Sequence, residues 1–113
     1  MTYDTAQEIL GQIDEDTKGD ETLQKLRRQL FLAAIQYARI RTDWYMTPRE
    51  GRLEMDQKRS AAHNAFIDTC NILSREMKKQ HKCINWRQTL GEERKEIGDF
   101  ACHLHTIIGI KAR

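Results

Sequence analysis

A single proline in 113 residues leaves little to interrupt helices, and that residue, Pro48, stands where a helix would begin. The run Thr47-Pro48-Arg49-Glu50 offers a threonine N-cap, proline at the first helical position and a glutamate placed to close a capping box. Before it, Leu23, Leu26, Leu30, Ala34, Tyr37, Arg41 and Trp44 recur at helical spacing; after it, Met55, Arg59, Ala62, Phe66, Cys70, Leu73 and Met77 do the same. Two such stripes joined at a helix start predict a long hairpin. A polar stretch from Asp14 to Asp20 marks another boundary, with Gly19 as a helix stop and Asp20 as the next N-cap, and a third boundary falls between His81 and Asn85.

The expected helical segments run over about 4–16, 21–46, 48–80 and 86–110, and nothing reads as a strand. In the last of them Leu90, Ile97, Phe100, Ala101, Leu104, Ile107 and Ile108 share a face, while Gly91, Gly98 and Gly109 either weaken the helix or admit a close neighbour. The chain is long enough for one domain, residues 1–113, burying roughly two-thirds of the surface its unfolded form exposes. The expectation is an all-α four-helix bundle built on the hairpin. At about 1.5 Å per residue, segments two and three would extend roughly 39 and 50 Å, more than a bundle of this mass needs. Either the third segment breaks, at Gly51 or near Arg59, or another copy covers its apolar length, and a homodimer or larger symmetric oligomer is expected.

Composition narrows the class. Charged residues make up 32% and apolar ones 39%, with both signs interspersed, which suits a folded helical domain rather than a disordered chain. A net charge of +2 argues against an obligate nucleic-acid binder, whose footprint is strongly basic. No apolar run approaches the roughly 20 residues that span a bilayer, and the first eight residues lack the basic start and apolar stretch of a signal peptide, so a cytoplasmic protein without membrane attachment is expected. An odd count of three cysteines fits reduced thiols.

Arg41 and Arg59 fall inside otherwise apolar stripes, and a guanidinium placed there must meet a carboxylate, backbone oxygens or an anion from outside. Glu93, which interrupts the last apolar face, is the internal candidate. Arg52 and His63 extend the polar seam along the third segment, and Tyr37, Trp44 and Tyr45 bring aromatic rings to the same interior. Guanidinium forks beside aromatic rings suit phosphate and a stacked base. The expected ligand site is therefore Arg41, Arg52, Arg59 and His63, with Trp44 or Tyr45 as a stacking surface.

Two short stretches resemble enzyme motifs. Arg59-Ser60-Ala61-Ala62-His63 resembles the arginine–histidine motif of HEPN-type ribonucleases, with closer spacing than that family generally uses; the resemblance implies His63 as general base and Arg59 as a stabiliser of a phosphorane. Lys95-Glu96-Ile97-Gly98-Asp99-Phe100 resembles the second acidic motif of the all-helical MazG-type nucleotide pyrophosphohydrolases, which implies carboxylates holding magnesium, although the upstream acidic pair of that family has no counterpart between Ala61 and Ile84. His81, Cys83, Cys102 and His105 form a set that zinc accepts chemically, at irregular spacing. Arg75, Lys78, Lys79, His81, Lys82 and Arg87 surround Trp86 in a basic segment suited to phosphates or an acidic protein surface, or to a solvated helix end. The reading that accommodates most of these features is a small non-enzymatic binding or regulatory module with no assigned metal or cofactor. Its partners would be a second copy, an anionic nucleotide-like small molecule, or a protein that it occludes.

Overall fold

Caps and helix-favouring residues produce five α-helices over residues 1–111, the part of the chain described by the structure, a computed structural model: α1 (Tyr3–Thr17), α2 (Glu21–Met46), α3 (Arg49–Lys79), α4 (Asn85–Leu90) and α5 (Arg94–Lys111). No strand occurs among the described residues. Asp20 caps α2 as expected, its carboxylate accepting from the Leu23 amide at 2.9 Å. Thr47 does not cap α3. Its hydroxyl donates back to the Asp43 carbonyl at 2.6 Å, so it closes α2, and Pro48 holds the N-cap position in an extended conformation without a side-chain bond.

α3 runs unbroken for 31 residues, with no interruption at Gly51 or Arg59. The fourth expected segment, by contrast, is two helices. Gly91 adopts φ 71° and ψ −163°, a conformation essentially confined to glycine, and Arg87 fixes the turn by donating to the Gly91 carbonyl at 2.8 Å and the Glu92 carboxylate at 2.9 Å. The four-helix expectation is thus corrected to five, with the short α4 turned away from α5.

α2 is the central element, packed along α3 on one side and α5 on the other, while α1 lies across α4 and α5. The core joins Ile9 and Ile13 of α1, Leu23 and Leu30 of α2, Phe66 and Leu73 of α3, Trp86 of α4, and Phe100 and Leu104 of α5, all fully buried. Trp86, which lies within the basic segment of the sequence, is a core residue. No described helix is long and apolar enough to cross a membrane.

The core stops short of the hairpin's end. The last buried residue of α2 is Ala38 and the first of α3 is His63, so residues 39–62 form an arm beyond the greasy interior. The long axis of the molecule, 48 Å against 29 and 23 Å, matches about 46 Å for α3 at about 1.5 Å per residue. A radius of gyration of 14.4 Å exceeds the roughly 13 Å of a compact chain this size, as a projecting arm requires.

Candidate anion-binding cleft

Arg41 leaves the core one turn after Tyr37 and lies across α5, where Gly98 makes room for it. A Cβ at Gly98 would sit 2.9 Å from Arg41 Nη1, 3.0 Å from its Cζ and 3.1 Å from the Tyr37 hydroxyl. Of the two expectations for Gly98, close packing is what the structure shows. Arg41 Nη1 donates to Asp99 Oδ1 at 3.0 Å and contacts Cys102 Sγ at 3.7 Å. Asp99 also accepts from the Met1 amino group at 2.9 Å. Burial pushes the Asp99 carboxyl up, but the hydrogen bonds from the Met1 amine and Arg41 outweigh it and hold the group below its ordinary value. Glu93 is not the partner: it is exposed and lies before the first turn of α5, where its carbonyl accepts from the Ile97 amide.

Arg59 meets no carboxylate at ion-pair distance among the described residues, and its Nε is buried with no hydrogen-bond partner there. What holds it is Trp44, whose ring centroid lies 4.3 Å from Arg59 Cζ. Arg52 Cζ lies 4.7 Å from the same ring, while its nitrogens donate to the Thr47 and Tyr45 carbonyls at 3.1 and 3.3 Å, closing the C-terminus of α2. The Trp44 indole donates to Asp56 at 2.8 Å. Trp44 is thus already occupied by two guanidiniums, and it supports Arg59 rather than offering a stacking face.

Tyr37, Arg41, Tyr45, Arg59, Arg94 and Lys95 enclose a cavity of about 280 Å³ between α2, α3 and the start of α5. Its lining holds four cations and no carboxylate. Among the described residues, Arg94 is exposed and tethered only to the Ser60 hydroxyl, at 2.9 Å, and Lys95 is exposed without an ion pair. Tyr45 is 57% exposed and stands edge-on to Trp44, with centroids 5.1 Å apart and planes at 84°. Burial raises the Tyr37 hydroxyl above its ordinary value, so it is a neutral donor at physiological pH.

Of the six residues expected from the sequence, Arg41, Arg59 and Tyr45 reach this cleft, whereas Arg52 and Trp44 brace it from the arm. His63 is absent from the lining. It is 5% exposed, edge-on to Tyr37 at 5.4 Å, with Nδ1 3.5 Å from Asn64 Oδ1 and Nε2 buried without a partner. Burial first, and then the nearby charges of Arg94 and Arg59, lower its pKa and keep the ring neutral, against the opposing Asn64 contact. Arg94 and Lys95 were missed because the acids around them dominated the reading of that stretch. The signal was present: Arg94 lies three and four residues before Ile97 and Gly98, on the face that turns toward α2.

The other candidate sets do not assemble. No group of three or more His, Cys, Asp or Glu side chains lies close enough to hold a metal ion among the described residues, so His81, Cys83, Cys102 and His105 do not gather into one ligand set. Glu96 and Asp99 both engage the Met1 amine, at 3.0 and 2.9 Å. Comparison with protein-family models, curated proteins and solved structures gave no match.

Proposed function

We propose that the protein is a non-enzymatic binding module that captures a small anion in the α2–α3–α5 cleft and acts in the cytoplasm as a regulatory or sequestering protein. One observation carries this reading: Arg59, Arg94 and Lys95 converge on a cavity without a carboxylate among them, and Arg59 Nε is buried with its bonding capacity unused. Like charges gathered in a concave, partly dry site raise the energy of the empty state, and an anion relieves it. A catalytic role fits less well. His63 is sealed behind Tyr37, and the Glu96 and Asp99 carboxylates are engaged with cations.

Occlusion of a protein partner and self-association belong to the same proposal as uses of the arm, whose tip exposes Met46 and Leu53. Sedimentation across a concentration series tests the latter, and a monomer at every concentration would remove it. For the cleft, the test is a thermal-shift screen against phosphate, sulfate, citrate and nucleotides. At a ligand concentration of 100 times Kd the gain is about 2.7 kcal/mol, several degrees for a chain this size. The expected result is a rise with at least one anion that Arg94→Ala and Lys95→Ala both reduce. A melting temperature unmoved by every anion would end the proposal.

A further inference from the structure

We infer that the cleft is built for a nucleoside monophosphate, its phosphate held by Arg59, Arg94 and Lys95 and its base laid on Tyr45. The inference rests on the anion-binding reading above and narrows it to one ligand class. Charge gives the first constraint. Of the four cations lining the cavity, Arg41 is offset by Asp99, and three remain uncompensated among the described residues. A single carboxylate would leave like charges facing one another. A phosphomonoester brings about −1.5 to −2 charges and three terminal oxygens, enough for three separate cationic donors.

Size gives the second. A cavity of about 280 Å³ corresponds to roughly nine waters at about 30 Å³ each, so inorganic phosphate would leave most of it wet. A nucleoside triphosphate arrives with magnesium, which keeps oxygen ligands around itself. The cleft lining offers no carboxylate to it, and Asp99 is committed to Arg41 and Met1. The remaining volume is bounded by an aromatic wall. Trp44 is engaged by Arg52 and Arg59, which leaves Tyr45 as the accessible ring, held edge-on by Trp44 and with Arg41 Cζ 5.8 Å from its centroid. A base on Tyr45 would lie beside that guanidinium, and because every base has a π face, the inference concerns the class and not the particular base.

Isothermal titration of the full chain with adenosine 5′-monophosphate, ribose 5-phosphate, inorganic phosphate, adenosine, magnesium ATP and citrate tests this. The monophosphate should bind at least about tenfold more tightly than ribose 5-phosphate or inorganic phosphate, the effect of one stacked base, and adenosine should not bind. Tyr45→Ala should erase the advantage of the nucleotide over ribose 5-phosphate, and Tyr45→Phe should retain it. Arg94→Ala should weaken every phosphate about tenfold or more without lowering the melting temperature of the empty protein, since Arg94 is exposed and its removal relieves like-charge repulsion in the cleft. Equal affinity for the three phosphates, or tighter binding of citrate or magnesium ATP, would overturn the nucleoside monophosphate and leave an anion site standing. Silence from all six probes would overturn the anion site itself.

Discussion

At the scale of single residues, one hydrogen atom at Gly98 decides where Arg41 goes. Alanine there would gain up to about 1 kcal/mol of helix propensity. Its methyl, however, would displace a guanidinium already bonded to Asp99, a charge-assisted contact worth about 1.5–3 kcal/mol when lost. Gly98→Ala is therefore expected to destabilise the fold by about 1 kcal/mol in urea unfolding, and a gain in stability would show that Arg41 relocates at no cost. The sequence showed that Arg41 and Arg59 needed negative neighbours, but it did not show which. Glu93 was the natural candidate because it interrupts an apolar face. The choice fell instead on Asp99 because Arg41 crosses α5 at Gly98, the neighbouring residue, whereas Glu93 lies at the exposed start of the helix. Arg59 found an aromatic ring in place of a carboxylate, an outcome that periodicity alone cannot distinguish from an ion pair.

At the scale of elements, the ends of α3 show how far local chemistry carries. Its C-terminus closes through a Schellman arrangement: the Lys82 amide donates to the Met77 carbonyl at 2.9 Å and the His81 amide to the Lys78 carbonyl at 3.0 Å. The residue that must turn left-handed is His81, with φ 59°, where glycine would be unstrained. His81→Gly should stabilise the protein by about 0.5–1 kcal/mol, net of the greater freedom glycine gives the unfolded chain, measurable as a rise in melting temperature of a few degrees. A fall would mean that the imidazole makes a contact outweighing the strain. The limits of α1, α2 and α3 were legible to within a residue because breaker and cap residues bound the apolar periodicity there, although Thr47 closes α2 and does not cap α3. The division between α4 and α5 was not. Gly91, Gly98 and Gly109 look alike in a helical pattern, and what singles out Gly91 as the break is the grip of Arg87 on the Gly91 carbonyl and Glu92, anchored across the fold by its bond to Asn71.

At the scale of the whole molecule, the hairpin is one continuous pair of helices with two interiors, a greasy one below Tyr37 and a cationic, aromatic one above. The junction between them holds two groups whose titration ties folding to pH on the acid side. His63, facing Tyr37 of α2 and within the fields of Arg59 of α3 and Arg94 of α5, has its pKa lowered from 6.5 by burial and those charges. The unfolded chain therefore takes up the proton first as pH falls, and stability declines below about 6.5 until the folded ring is protonated too. One proton limits the slope to about 1.4 kcal/mol per pH unit. Asp99, held below 3.8 by Met1 and Arg41, contributes stability that is complete above that value and lost as pH falls through its folded pKa, so a second decline follows at lower pH. The melting temperature should be level from pH 7 to 6.5, fall through the histidine window, and fall again near the carboxylate range. His63→Phe separates the two. A phenyl ring can keep the edge-on contact with Tyr37, removes the unpartnered Nε2 and cannot titrate, so the variant should match or exceed the parent at pH 7 and lose the first decline while retaining the second. An unchanged slope between pH 6.5 and 5 in that variant would place the acid sensitivity elsewhere in the chain and separate His63 from the stability of the junction.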